Sequence, residues 1–247
     1  MRAGLLLLGL VGCSSPPPAA SLPPGRAGVV AWREAQAQVD AIRERYTPGA
    51  PYRMNVSLEL TQVQLGQRMR ARGAVAVHPP HGLRMILLGP GGTTALDLWI
   101  CRDAFRFAVP AIDLERRGDA RTPPEQLRGL PVGFLRWWFL RPLDGRLLSF
   151  VDGDAGRRFV LRDRVDVVHV FAPADAPLRA ERRSRLDTEE VVVEGQGACG
   201  EVHYRQVSTG LDITVRCEAL TPGGPPPAAF ADPDDPEHVC GAGAAPS

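Results

Sequence analysis

The sequence predicts a mainly β, α+β protein: a single curled antiparallel sheet forming an unclosed half-barrel, with an N-terminal helix and a central helical lid. Three observations predict it. Apolar and polar residues alternate with period two through roughly a dozen short segments, the pattern of strands with one wet face. Only two stretches switch to helical spacing. Short turns separate most strands, as antiparallel pairing allows and parallel crossovers do not. A sheet with one apolar face needs a cover, so the strands are expected to curl around the helices. A β-sandwich is the other arrangement that would satisfy the same pattern.

The first helix is expected over residues 29–46, where Trp32, Ala35, Val39, Ile42 and Tyr46 recur at steps of three and four before Pro48-Gly49 stops the chain. Strict alternation follows from Tyr52 to Leu60, and again where Arg68, Arg70 and Arg72 interleave with Met69, Ala71 and Gly73. Pro79-Pro80-His81-Gly82 turns the chain into residues 83–88, and Gly89-Pro90-Gly91-Gly92 turns it into Thr94, Leu96, Leu98 and Ile100, with Phe105, Phe107 and Val109 beyond. Thr122-Pro123-Pro124-Glu125 has a capping-box pattern with proline at the first helical position. Leu127, Leu130, Phe134 and Trp137 follow on one face, and Gly129 and Pro131 split the segment, so that a second helix ends near Leu140-Arg141-Pro142. Strands then resume at 147–151, 158–162, 165–171, 178–186, 189–194, 200–207 and 211–218, with Ser208-Thr209-Gly210 as the last hairpin turn.

The two ends of the chain read differently. Met1-Arg2, the apolar run from Leu5 to Val11 and Gly12-Cys13 form an export signal over residues 1–12. The run is far shorter than the ~20 residues a membrane-crossing helix needs. Leu10-Val11-Gly12-Cys13 matches the bacterial lipobox, which makes Cys13 the expected lipidation site and new N-terminus. Acyl chains contribute about 0.8 kcal/mol per buried methylene, so several on one cysteine anchor lastingly. Residues 13–28, with Pro16-Pro17-Pro18 and Pro23-Pro24, read as a tether, and residues 222–247, with Pro225-Pro226-Pro227, as a disordered tail in which Cys240 alone suggests pinning. The folded domain is expected over residues 29–221. Ser14 follows the cysteine where, in enterobacteria, Asp favours the inner membrane; the address is therefore the outer membrane, facing the periplasm.

Composition narrows the function. A formal net charge of +1 offers no basic field for nucleic acid. All 29 basic residues are Arg, which reads as genomic base composition. The five cysteines suit an oxidising compartment. With Cys13 set aside, Cys101, Cys199, Cys217 and Cys240 allow three connectivities. Cys199 and Cys217 flank a hairpin and form the most local pair, which would leave Cys101 for Cys240; four free buried thiols are the other reading. No zinc spacing is present, and His78-Pro79-Pro80-His81 is a turn rather than a metal site. Asp152-Gly153-Asp154-Ala155-Gly156 lacks the later acidic ligand of a calcium loop and reads as a hairpin. No G-x-S-x-G, H-E-x-x-H, P-loop or dinucleotide motif occurs, so no catalytic residue, metal or cofactor is assigned and no enzyme is expected. Residues 179–185 read as the wet face of a strand, or as a contact for lipid headgroups or an acidic partner.

Two stretches resemble a known family. Residues 83–98, Leu-Arg-Met-Ile-Leu-Leu-Gly-Pro-Gly-Gly-Thr-Thr-Ala-Leu-Asp-Leu, resemble a strand–loop–strand of the LolA/LolB lipoprotein-carrier superfamily. Leu127-Arg128-Gly129-Leu130-Pro131-Val132, followed by Leu135-Arg136-Trp137-Trp138-Phe139-Leu140, resembles its central Gly-x-Pro helix. Together with the lipobox, the likeness is to LolB, the lipidated outer-membrane receptor. The resemblance implies an unclosed barrel whose apolar cavity holds acyl chains without covalent chemistry. It also implies a periplasmic carrier protein as partner, with the chain acting as a monomer. The lining would come from Tyr52, Met54, Val56, Leu58, Leu96, Leu98, Phe105 and Phe107, and the lid from Phe134, Trp137 and Trp138. Plain core packing would bury the same residues. The loop Gly89-Pro90-Gly91-Gly92 matches the membrane-inserting loop of LolB but has Gly91 where an exposed Leu is expected. The main expectation is an acyl-chain receptor in lipoprotein localisation; the alternative is a non-enzymatic scaffold or a binder of another lipid built on the same half-barrel.

Overall fold

The computed structural model describes residues 22–241, apart from residues 128, 155, 164, 165, 174, 175, 185, 186 and 196. The signal segment, Cys13 and the first part of the tether lie outside the described residues. A helix α1 (Arg26–Tyr46) leads into strands β1 (Tyr52–Gln62), β2 (Gln67–His78), β3 (Gly82–Leu88), β4 (Thr94–Cys101), β5 (Ala104–Val109) and β6 (Leu114–Gly118). Two short helices, α2 (Pro124–Leu127) and α3 (Val132–Leu140), come next. The second meander is β7 (Arg146–Gly153), β8 (Gly156–Asp163), β9 (Asp166–Ala172), β10 (Leu178–Arg183), β11 (Thr188–Glu194), β12 (Glu201–Gln206) and β13 (Leu211–Pro222).

All thirteen strands form one antiparallel sheet, in the order β6-β5-β4-β3-β2-β1-β13-β12-β11-β10-β9-β8-β7. The two meanders meet along the long β1–β13 pairing, where Val56 faces Cys217 across a bulge. β6 and β7 are its two edges, so the sheet curls without closing. Further bulges at Leu87/Leu88 and Leu147/Ser149 add local bend and twist, as an extra residue on one strand does. At Gly73 a Cβ would collide with the backbone of Ile86 and Leu87, so glycine lets β2 and β3 approach closely where the sheet bends.

Period two is realised as one buried and one wetter face. β1 alternates buried and open positions from Tyr52 to Leu58, and its buried residues pair with Val77, Val75 and Ala71 of β2. α1 and α3 lie against this dry face: Ala35, Val39 and Tyr46 of α1 and seven of the nine residues of α3 are buried. The chain between β6 and β7 must travel from one sheet edge to the other. It does so across the concave side, and α3 is the part that crosses.

Three features differ from the sequence reading. α1 begins at Arg26, inside the span assigned to the tether. β6 was not expected: Leu114-Glu115-Arg116-Arg117-Gly118 has no apolar alternation, because a charged edge strand needs only its backbone to pair. The tail is the largest correction. Instead of remaining disordered, residues 222–241 include a 3₁₀ turn (Pro227–Phe230) and a hairpin of β14 (Ala231–Asp232) and β15 (Asp235–Val239), packed on the outer face of the sheet. Phe230 and Cys240 are buried against Trp99 and Cys101 in a cluster separate from the main core. The Trp99 indole N–H donates to the Phe230 carbonyl at 2.9 Å. Cys101 and Cys240 are joined, with Cα atoms 5.4 Å apart, and Cys199 is joined to Cys217.

Charge completes the attachment. Arg117 grips Asp232 through hydrogen bonds of 2.6 and 3.0 Å and also reaches Asp234. The Arg117 hydrogen bonds, against some opposition from burial, hold the Asp232 carboxyl down at about 2. A carboxyl depressed below its unfolded value stabilises the docked form above that value and ceases to do so as pH falls through the folded one. Protection of the tail hairpin in hydrogen exchange should therefore be constant above about pH 4 and fall between about pH 4 and 2. Asp232→Asn should flatten this dependence; an unchanged acid profile in that variant would refute the assignment.

Candidate functional site

The site predicted from the sequence is the concave face, and the structure brings its residues together. Tyr52, Met54, Val56 and Leu58 from β1, Leu96 and Leu98 from β4 and Phe105 and Phe107 from β5 all belong to one buried apolar cluster. The register places them side by side: Leu98 is opposite Phe107 on β5 and Met85 on β3, and Leu96 is opposite Leu87. Phe134, Trp137 and Trp138 of α3 join the same cluster. The Phe134 ring stacks on Tyr204 at 4.3 Å between centroids, and Trp138 packs beside Tyr46 of α1 at 6.0 Å.

Among the described residues the concave face is covered by closely packed side chains. The void beneath α3 measures about 10 Å³, the size of one water, and is lined by Phe134, Trp137, Arg182, Glu189 and Tyr204, among others. An open cleft of about 390 Å³ lies elsewhere, between the C-terminal ends of α1 and α3 and the β2–β3 turn. Arg43, Thr47, Pro79, Pro80, Leu140 and Arg141 contribute to it, and none of the predicted lining residues does.

α3 is held mainly by apolar contact. Its polar attachments include one from its middle and one near its C-terminal end. Tyr52 donates to the Phe139 carbonyl at 3.3 Å, and Arg136 donates to the Asp103 carbonyl at 2.9 Å. Beyond its C-terminus Arg43 of α1 donates to the carbonyls of Leu143 and Gly145 at 2.6 to 2.9 Å. On its N-terminal side Gly129, at φ 78°, donates to the Gln206 side chain at 3.1 Å. A positive φ is a conformation that glycine adopts without strain, and it marks where the chain turns into α3.

The concave wall carries one group of charges that sequence reasoning did not place there. Residues 179–185 were read as a wet face, yet Arg182 turns inward, opposite Val168 on β9 and Glu189 on β11. Arg182 donates twice to Asp166, at 2.6 and 3.0 Å, and reaches Glu189 at 3.4 Å. Tyr204 donates to Glu189 at 3.1 Å. Burial pushes the Glu189 carboxyl above its ordinary range, against the opposing pull of Arg182. Burial would lower Arg182, but Glu189 and Asp166 outweigh it and keep the guanidinium firmly charged. Period-two parity held the signal: Leu178, Ala180 and Arg182 share one face.

The loop Gly89-Pro90-Gly91-Gly92 is a tight turn, closed by Gly89 N–H to Thr93 O at 2.9 Å and by Gly92 N–H to Gly89 O at 3.1 Å. Gly91 and Gly92 have φ of 90° and 79°, so a leucine at position 91 would be strained. The apolar side chain nearest its start is Leu88, which is exposed at the base of the loop rather than at its tip.

No protein-family model and no curated protein matches this sequence. Solved structures do match. A LolA superfamily protein from Nitrosomonas europaea aligns over 80% of this chain and 97% of its own, at 12% identity and a TM-score of 0.57. A DUF1329 family protein from Desulfovibrio piger aligns over 82% and 96%, at 12% identity and a TM-score of 0.50. The chain has a LolA-like fold. At this identity the likeness extends to the fold, and the interior of this chain has to be read from its own side chains. No described helix is long and apolar enough to cross a membrane.

If Phe134 is packed core in the resting state, Phe134→Ala should lower the unfolding free energy by about 3–5 kcal/mol in urea titrations under oxidising conditions. A loss below about 1 kcal/mol would mean that α3 does not fill the interior in solution.

Proposed function

We propose that this chain is an exported, non-enzymatic lipoprotein, anchored through Cys13, whose half-barrel accepts acyl chains beneath α3 and so serves lipoprotein reception at the outer membrane. The observation that carries this reading is the way the interior is filled. The concave wall is mainly apolar, and most of the aromatic side chains laid over it, Phe134, Trp137, Trp138 and Phe139, come from one nine-residue helix on a separate connection. Such a filler can rise to admit another apolar body beneath it, and settle back on it, without unpairing a strand. Transfer would then follow from the better apolar environment that this interior offers, with no bond made or broken. The open cleft reaches Leu140 at the end of α3 and gives an acyl chain an approach to that helix.

The LolA-like fold supports the carrier part of this reading. The lipobox, Ser14 and the Gly-x-Pro resemblance support the anchor, the outer membrane and the likeness to LolB. Strain at Gly91 argues that any delivery into a membrane uses a device other than a leucine at the loop tip. The filled interior also favours a second reading, in which the half-barrel is a rigid scaffold in an envelope complex.

One experiment separates the two. The full chain carrying Cys13→Ser is isolated, and retained lipid is identified by mass spectrometry. Amide exchange is then followed with and without an added acyl ligand. The carrier reading expects bound acyl lipid, and faster exchange over residues 132–140 on loading while β1 stays protected. No acyl binding would leave the scaffold. Mass analysis of the N-terminal peptide of the unaltered chain should find an acylated cysteine at position 13; an unmodified cysteine there would refute the anchor.

A further inference from the structure

We infer that the concave wall contains a built polar subsite that takes the ester or amide carbonyl of an acylated ligand and rejects a free carboxylate. The inference rests on the acyl-carrier reading above and names its ligand class. A cavity meant only for hydrocarbon has no use for charge, because burying ions costs more than apolar packing of the same volume. Yet Arg182, Asp166, Glu189 and Tyr204 stand together on the dry face, directly against Phe134 and Trp137.

The partners within this group are almost fully used. Arg182 spends its donors on Asp166 and Glu189, and the Tyr204 hydroxyl is spent on Glu189. One nitrogen of the lining is left without any acceptor. Trp137 is nine-tenths buried, borders the same small void, and its indole N–H has no partner among the described residues. An unmet buried donor asks for an acceptor, and the void has room for a single acceptor atom.

Charge decides which acceptor. Glu189 faces the space, Asp166 stands behind it on Arg182, and Asp187 lies close enough to act on Glu189 and Tyr204, so that among the described residues these carboxylates outnumber the one guanidinium in the lining. A free fatty acid would bring a further carboxylate into this surplus, in a half-buried place where water screens it only in part. A neutral carbonyl oxygen meets the indole N–H without that conflict. Trp137 sits on the plug itself, so the subsite is complete only when α3 rests on the loaded interior.

The test uses three probes with the same C16 chain: monopalmitoylglycerol, N-palmitoyl glycinamide and palmitate, titrated calorimetrically into the full chain at neutral pH. The ester and the amide should bind about tenfold more tightly than palmitate. Trp137→Phe, which keeps an aromatic ring in place, should weaken the ester and amide by about two- to tenfold and leave palmitate unchanged. Glu189→Gln should narrow the gap by improving palmitate. Equal binding of all three probes, or ester binding indifferent to Trp137→Phe in a variant of unchanged melting temperature, would overturn the subsite while leaving the carrier reading in place. Binding of none would overturn the carrier reading and the subsite with it.

Discussion

A single sheet with one dry face and two unpaired edges is the constraint on which the rest of this molecule depends. β6 and β7 lie at opposite ends of the strand order. The dry face needs a cover, and the chain that leaves β6 must reach β7. Both demands are met by one segment crossing the concave side, which is why the helix richest in buried aromatics lies in that connection rather than at a terminus. α1 covers what α3 leaves, and the polar contacts from α1 to the connection run through Arg43 to backbone carbonyls just past α3. Covering is thus divided between a long helix, continuous with the N-terminal approach, and a short one suspended between glycine-marked turns at Gly129 and Gly145.

The outer face is organised by charge and by the Cys101–Cys240 disulfide. Arg84 pairs with Asp97, Arg106 with Asp97, Glu115 and Asp234, and Arg117 with Asp232 and Asp234. This ladder crosses β3 to β6 and ends in the tail. Exposed ion pairs contribute little singly, so the attachment depends more on the burial of Phe230 against Trp99 and on the Cys101–Cys240 bond. Composition alone marked the tail as unable to fold, and by itself it is. It borrows its core from the sheet, with Trp99 supplying the apolar surface and Cys101 the covalent link.

Much of the fold was legible because strand parity is a local property. The alternation from Tyr52 to Leu58 names its own buried set, and the Gly129/Pro131 interruption divides α2 from α3 where the sequence reading placed it. What escaped was non-local. β6 pairs through its backbone and carries no apolar signature. Arg182 was assigned by its charge to solvent, although its register with Ala180 and Leu178 put it on the dry face; the compensating Asp166 and Glu189 lie on neighbouring strands and are invisible to a window of sequence. Whether the concave face is hollow or filled was equally out of reach. The same inward residues line either, and the difference lies in how deeply a separate helix descends.

On the proposed carrier reading, filled and loaded interiors have to be close in energy, and this is the sense in which a packed core is compatible with a carrier. Phe134, Trp137, Trp138 and Phe139 are all buried. At roughly 1.5–3 kcal/mol for each large apolar side chain, exposing them would cost on the order of 6–12 kcal/mol. An acyl chain of about fifteen methylenes returns about 12 kcal/mol when it leaves water, at about 0.8 kcal/mol per methylene. One chain is therefore comparable with the whole aromatic face of α3, and the balance is set by smaller terms. The buried Arg182–Asp166–Glu189 group is such a term. It costs desolvation in either state, so it does not favour filling over loading. It gives the wall a fixed polar point, and under the subsite inferred above that point would distinguish an acyl ligand of suitable headgroup from bare hydrocarbon.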